Sequence, residues 1–100
     1  MIDSEFLFQQ LKTVDDPDVH VNVVDLGLIY SIEENTDGHI VVAMTLTSPS
    51  CPMGDFLTES VKQTIASIYP DRKILIHLTW DPPWNQDMIS EIGKMELGIL

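Results

Sequence analysis

Residues 39–80, HIVVAMTLTSPSCPMGDFLTESVKQTIASIYPDRKILIHLTW, decide the fold. The segment from His39 to about Thr47 is rich in β-branched residues and is largely apolar on both sides, which is typical of a central strand. The stretch from Pro52 to Tyr69 predicts a long helix, and the strand from Lys73 to Trp80 follows it. Since a helical crossover lets two strands run parallel, the pattern favours a parallel pair packed against one helix. The apolar stripe of the helix consists of Met53, Leu57, Val61, Ile65 and Ile68.

A hairpin adds a third strand. The segment from Leu28 to Glu33 is predicted to be a strand. The loop from Asn35 to Gly38 supplies residues that tolerate the positive φ of a tight turn. A tight turn from Asp25 to Gly27 leads into it. We therefore predict an α+β fold with a mixed three-stranded sheet, helices on one face, and a single domain over residues 1–100.

The flanking segments are predicted from shorter patterns. The segment from Ser4 to Lys12 is predicted to be a short helix capped by Ser4. The alternation of Val19, Val21 and Val23 with polar residues predicts an extended segment. Near the other end Asn85 is expected to cap a last helix, whose shared apolar face comprises Met88, Ile92 and Met95.

Composition excludes several classes of protein. A hydrophobic share of 44% with 21% charged residues is ordinary for a packed globular chain. The net charge of −11 repels phosphate, so nucleic acid and anionic membranes are not expected as partners. The acidic surface is either a solvated face or a docking face for a basic protein. No secretory signal is expected, and the single cysteine fits a reducing compartment, so we expect a cytoplasmic protein.

Cys51 is the most distinctive chemical feature of the chain. It stands directly before Pro52, at the predicted cap position of the long helix, where unpaired N–H groups and the helix dipole favour a thiolate. Thr47 and Ser48 flank the turn and can donate hydrogen bonds to a thiolate, although such residues also simply stabilise turns. Most free cysteines are small buried apolar residues, and the position of Cys51 alone leaves these alternatives open.

A second group consists of Asp16, Asp18 and His20, which alternate along the predicted extended segment. On a strand they share one face. Together with Cys51 they offer sulfur, nitrogen and oxygen ligands that suit zinc or iron. The alternative, which spacing alone favours, is an ordinary solvated face of an edge strand.

Three stretches, taken in order, resemble a known family: Asn22 to Tyr30 (NVVDLGLIY), Met44 to Pro52 (MTLTSPSCP), and Trp80 to Trp84 (WDPPW). They are similar to the PaaD-like family of small iron–sulfur assembly domains, which includes the SufT-type bacterial factors and a small cytosolic targeting-complex subunit of eukaryotes. The resemblance runs from about Val14 to the end of the sequence. It implies a fold related to the C-terminal domain of NifU scaffolds and a role in maturing or delivering iron–sulfur clusters.

The resemblance also implies site residues. The family's cysteine matches Cys51, with Thr47 and Ser48 beside it, and the aspartate of its Asp-Leu-Gly-Leu motif matches Asp25. The family's acidic pair matches Asp16 and Asp18, where Asp18 replaces the usual glutamate. The implied metal ligands are therefore Cys51, Asp16 and Asp18, and His20 has no counterpart in the family.

Ligand counting restricts the role of the thiol. Iron–sulfur clusters normally take four cysteine ligands, so one thiolate does not hold a cluster alone. Iron or a transient cluster would need further ligands from Asp16 or Asp18, a second subunit, glutathione or the client. A homodimer that contributes one Cys51 from each chain is one such arrangement.

Three functional hypotheses follow. The leading one is a carrier or adaptor without turnover of its own, which works with iron–sulfur client or scaffold proteins. The second is an accessory subunit of a phenylacetate-type oxygenase. We rank it lower because that branch of the family usually has a longer, cysteine-rich extension, whereas this sequence ends at Leu100. The third is an enzyme with Cys51 as nucleophile, which would need a positioned base and a deep cleft.

Overall fold

A computed structural model describes residues 2–17, 19–47 and 54–98. Three α-helices and three strands lie within these ranges, together with one short 3-10 turn. In chain order they are α1 (Ser4–Leu11), β1 (Ile29–Glu34), β2 (Ile40–Met44), α2 (Gly54–Ile68), β3 (Ile74–Leu78), the 3-10 turn Gln86–Met88, and α3 (Glu91–Leu97).

The sheet has the predicted mixed topology. Its strand order is β1-β2-β3, with β1 antiparallel and β3 parallel to the central strand β2. Val42 in the middle of β2 is opposite Ile32 on one side and Ile76 on the other. The prediction of an α+β fold with a central strand at 39–47 is thus confirmed.

The core lies on one face of β2. Alternation places Ile40, Val42 and Met44 on the same side of the strand, and all three are fully buried. They belong to one apolar cluster that contains three residues of the predicted α2 stripe, Leu57, Val61 and Ile65, and two residues of α1, Leu7 and Leu11. The N-cap of α1 is Asp3 rather than the predicted Ser4, because the Asp3 carboxylate accepts a hydrogen bond from Phe6 N at 3.1 Å. The predicted beginning of α2 at Pro52 lies outside the described residues.

The prediction of an extended segment around Val19–Val23 is wrong. The backbone N–H of Asp16 donates to Val21 O at 2.9 Å, and His20 N donates to Asp16 O at 2.8 Å, so the chain folds back on itself. His20 takes a positive φ of 60°, and an isolated bridge joins Asp15 to Asn22. Val21 and Val23 are buried by packing on the core rather than by a sheet, whereas Val19 is 37% exposed. As a result Asp16 is buried and His20 is exposed, and they do not share a face.

The predicted last helix is also divided. Asn85 caps only the 3-10 turn, and the backbone then becomes extended at Ile89. A new helix, α3, begins after Ser90, whose Oγ accepts a hydrogen bond from Gly93 N at 3.1 Å. This second start rotates the helix so that Gly93 is buried. The predicted apolar face is therefore wrong, since Ile92 and Met95 are 57% and 67% exposed.

No helix within the described ranges is both long enough and apolar enough to cross a membrane.

Candidate functional site

The end of the central strand β2 is where the three motif stretches of the sequence meet. Directly after β2, Thr45 N donates a hydrogen bond to Leu28 O at 2.9 Å, which joins the second stretch to the first. On the other side of the same strand, Thr79 N donates to Met44 O at 2.9 Å, next to the beginning of the third stretch. Three segments that are distant in sequence are thereby held at one end of the sheet.

Two side chains tie the loop after β3 to the segment before β1. The indole Nε1–H of Trp84 donates to Leu26 O at 2.7 Å, and the Tyr30 hydroxyl donates to Pro82 O at 2.7 Å. Both contacts join the first and third motif stretches over more than fifty residues of sequence. The motifs Asp-Leu-Gly-Leu and Trp-Asp-Pro-Pro-Trp therefore build one structural unit.

Asp25 is the polar centre of this unit. Its two carboxylate oxygens accept hydrogen bonds from Asn22 Nδ2 at 2.6 Å and from Ser90 Oγ at 2.8 Å. Its own backbone N–H donates to Asn22 Oδ1 at 2.9 Å, and its carbonyl accepts from Ser90 N at 2.7 Å. The sequence predicted Asp25 as a neighbour of a thiol site. The contacts give it a further role, since it fastens the segment before β1 to the beginning of α3.

The surroundings of Asp25 also alter its acidity. Burial of the carboxylate acts to raise its pKa, but the hydrogen bonds from Asn22 and Ser90 and the positive charge of Lys12 outweigh burial and lower the pKa below the ordinary value. Asp25 is therefore ionised at neutral pH. Each oxygen of this carboxylate accepts a hydrogen bond, and the charged form fixes local structure.

The other predicted site residues are placed only in part. Asp16 is 2% exposed in the loop between α1 and β1, and Thr47 is half-buried just beyond β2. Cys51, Asp18 and Ser48 lie outside the described residues. The ligand set Cys51, Asp16 and Asp18 consequently stays a prediction. Within the described part of the chain, no three His, Cys, Asp or Glu side chains come close enough together to hold a metal ion.

Sequence reasoning did not single out Thr45, which the structure makes conspicuous. Its side chain is fully buried, and its hydroxyl oxygen has no hydrogen-bond partner among the residues described. A buried hydroxyl without a partner typically costs about 1–3 kcal/mol. The only feature of the sequence that could have indicated Thr45 is its position, two residues before Thr47 and six before Cys51. A buried hydroxyl with no partner among the described residues, inside the second motif stretch, is a candidate contact for whatever the site binds.

Thr45→Val tests this interpretation, because valine keeps the shape of threonine and removes only the hydroxyl. If Thr45 serves the site, we expect the variant to be as stable as the wild type or up to about 1 kcal/mol more stable, since an unpaired polar group is lost. Iron loading under reconstitution with iron and sulfide should nevertheless fall. Urea unfolding and iron content per chain measure the two effects. Unchanged iron loading in the variant would contradict the role.

Fold and sequence together define the class of protein. It is a small α+β domain with a mixed three-stranded sheet, and its described motif segments gather at the end of the central strand. Residues 6–76 match a family described as iron–sulfur cluster assembly protein. The chain belongs to this family, which confirms the resemblance found in the sequence.

Named relatives and a solved structure agree with this membership. An iron–sulfur protein maturation auxiliary factor of Porphyromonas gingivalis is 46% identical, over 96% of this chain and 91% of that protein. The maturation auxiliary factor SufT of Staphylococcus aureus is 38% identical over 84% of this chain and 96% of that protein. The crystal structure of a domain of unknown function from Bacillus anthracis superposes with a TM-score of 0.87 at 33% identity, covering 97% of this chain and 92% of that one.

Proposed function

We propose that this chain is an auxiliary factor for the maturation of iron–sulfur proteins. In this role it acts as a carrier or adaptor without turnover of its own, and iron or an iron–sulfur cluster is its cargo. Cys51 supplies a thiolate to the cargo during transfer to a client or from a scaffold protein. The maturation names of relatives up to 46% identical over nearly the whole chain support this assignment.

The observation that carries the proposal is the convergence of the motif segments at the end of β2. Cys51 follows Thr47 by four residues and precedes Gly54 by three, so it lies in the connection from this meeting point to α2. The segments that meet there are fixed by backbone hydrogen bonds and by the Asp25 contacts. These contacts hold in place the segments from which the connection starts, which favours the presentation of a ligand group from that connection.

A shared ligand set follows from the number of donors. Since a cluster normally takes four cysteine thiolates and this chain has one, the remaining ligands come from elsewhere. Asp16 and Asp18 are the proposed contributors from this chain, and the client, the scaffold, glutathione or a second chain provides the others. A ligand set divided between two molecules suits transfer, because exchanging a few bonds moves the cargo from one molecule to the other.

Reconstitution with iron and sulfide tests the thiol. The wild type should gain visible charge-transfer absorbance and bound iron, and Cys51→Ala should lose both, because thiolate is the donor that iron–sulfur clusters require. Ser67→Ala is the matched control, since it removes a similar small group from the exposed far end of α2. Equal absorbance and iron content in Cys51→Ala and the wild type would refute the proposed role of Cys51.

A further inference from the structure

The outer edge of β3 is an unpaired strand edge among the described residues, and two hydrogen bonds fix which of its backbone groups point outward. Ile40 N donates to Lys73 O at 2.9 Å, and Thr79 N donates to Met44 O at 2.9 Å. In a parallel ladder the residues that bond to one neighbour alternate along the strand. Lys73 and Thr79 belong to the set that bonds to β2. The N–H and C=O groups that point away from β2 are therefore those of Ile74, Ile76 and Leu78.

The side chains of these same residues extend the apolar layer of the molecule. Ile74, Ile76 and Leu78 stand opposite Ile40, Val42 and Met44, the buried face of β2. Burial decreases along β3, from 5% exposure at Ile74 to 40% at Leu78. Trp80, just beyond the strand, is 41% exposed. The edge therefore presents free backbone groups together with uncovered apolar side chains.

Charge distinguishes this edge from the opposite edge of the sheet, where β1 ends in Glu33 and Glu34. The chain carries a net charge of −11, yet residues 73–80 contain Lys73 and His77 and no acidic residue. Two copies of so acidic a chain repel each other over most of their surfaces. Along this strand, however, no carboxylate would face another.

The opposite edge of the sheet is protected in the way that native proteins usually protect edges. β1 ends in Glu33 and Glu34, and its register with β2 is irregular between Ile29 and Ser31. Acidic residues and bulges hinder pairing with a further strand. β3 has neither feature, since its register with β2 is regular over all five pairs from Ile74 to Leu78.

A depression beside the edge carries charges of both signs. It has a volume of about 360 Å³ and lies between α2 and the first half of β3. Glu59 and Lys62 of α2 line it together with Ile74–Ile76. In a two-fold arrangement each copy meets the same surface of the other, so a surface that carries both Glu59 and Lys62 can set opposite charges against each other.

We propose that two copies of this chain associate through antiparallel pairing of β3 with β3, which gives a continuous six-stranded sheet with its two-fold axis at Ile76. In this register Ile76 meets Ile76 of the second copy, Ile74 meets Leu78, and Lys73 meets Thr79. The apolar layer then continues across the interface, and no like charges are opposed along the strands.

This association does not rest on the proposed function. Because β2 is parallel to β3, antiparallel pairing of the two β3 strands directs the carboxyl ends of the two β2 strands to opposite ends of the sheet. The contact is consequently different from a dimer in which two Cys51 thiols share a cluster, and it forms without iron.

Leu78→Pro tests the pairing. Proline removes the outward N–H of residue 78 and leaves the hydrogen bonds to β2 intact, which is why edge strands tolerate it. The control Leu78→Ala shortens the side chain but keeps the N–H. In sedimentation equilibrium of metal-free protein over a range of concentrations, the wild type should approach dimer mass. Leu78→Pro should weaken association at least about tenfold more than Leu78→Ala does.

Hydrogen exchange of the wild type provides a test that is independent of any variant's folding. The amides of Ile76 and Leu78 should exchange more slowly as protein concentration rises, whereas those of Leu75 and His77, which bond to β2, should not change. A monomer at every concentration would overturn the proposal. So would a dimer without slower exchange at Ile76 and Leu78, or protection of these amides only when a different protein is added.

Discussion

Gly27→Ala is expected to lower the free energy of unfolding by about 3 kcal/mol or more, through backbone strain and overpacking together. Gly27 has a φ of 78°, where an L side chain is strained. A Cβ at this position would stand 2.3 Å from Met88 O and 2.9 Å from Met88 C. Because both are backbone atoms, no rotamer change relieves the contact, and the segment around Met88 must move. Urea unfolding followed by tryptophan fluorescence measures the loss.

Gly98→Ala is the matched control for the contact. Gly98 has nearly the same φ, 76°, but a Cβ there would meet no atom within 4 Å among the described residues. Its replacement should cost only the left-handed strain, about 1–2 kcal/mol. The excess loss in Gly27→Ala then reports the close approach to Met88. Equal losses in the two variants would mean that the segment after β3 is not packed on this turn as described.

This close approach explains why the Asp-Leu-Gly-Leu turn and the segment after Trp84 belong together. The turn presents Gly27 to Met88, the carbonyl of Leu26 to Trp84, and the carboxylate of Asp25 to Ser90. Every one of these contacts joins residues about sixty positions apart in the chain. The end of β2 that leads to Cys51 is thus supported by a folded-back segment rather than by an adjacent helix.

The part of the fold that followed from sequence is the part decided by long periodic segments. The alternation in β2 and β3 and the stripe of α2 each bury several apolar residues in one direction, so only one packing satisfies them. The turn at Asn35–Gly38 was also predictable from its residue types. Asn35 Oδ1 accepts hydrogen bonds from Asp37 N and His39 N, which is typical of asparagine in turns. Parallel pairing of β3 with β2 followed from the crossover.

The errors came from short patterns whose outcome is decided by distant contacts. Three alternating valines predicted an extended segment. Among the described residues, however, this segment forms only the isolated bridge between Asp15 and Asn22, and the chain turns at His20. Likewise Asn85 is a sound helix cap, yet the pairing of Ser90 with Asp25 begins α3 later and rotates its apolar residues outward. Neither outcome is encoded within the ten residues from which it was predicted.

The candidate site was predictable as a set of motifs but not as a structure. The three stretches identified the family and placed Cys51 at a connection between β2 and α2. The role of Asp25 as a fastening residue depends on Ser90, 65 positions away, and no spacing rule indicates that contact. Thr45 was missed for a related reason, since the lack of a hydroxyl partner among the described residues depends on the three-dimensional packing around the side chain.

Asp25→Asn is expected to destabilise the fold by about 2–4 kcal/mol at neutral pH, because hydrogen bonds to a charged group are lost and buried donors remain. An asparagine at residue 25 still accepts a hydrogen bond from Ser90 Oγ, but its amide nitrogen then faces the amide nitrogen of Asn22. Turning the Asn22 amide does not solve this, since Asn22 Oδ1 is the acceptor for the backbone N–H of residue 25. One donor is left without an acceptor in either orientation.

The same carboxylate predicts a dependence on pH. Since the folded state lowers the pKa of Asp25, its contribution is fully present above the unfolded value of about 3.9. The contribution is lost as pH falls through the lower folded pKa. The difference in unfolding free energy between wild type and Asp25→Asn should therefore be constant from neutral pH to about pH 5 and shrink below about pH 4.

Unfolding by urea at a series of pH values measures this difference, with Asp71→Asn as the control because Asp71 is exposed. The control should stay within about 0.5 kcal/mol of the wild type at neutral pH. A difference for Asp25→Asn that grows on acidification would contradict the lowered pKa. A difference near zero at neutral pH would mean that the Asp25–Ser90 contact does not fasten α3 to the turn before β1. The close approach of Gly27 to Met88 would then be the main link between the two motif segments.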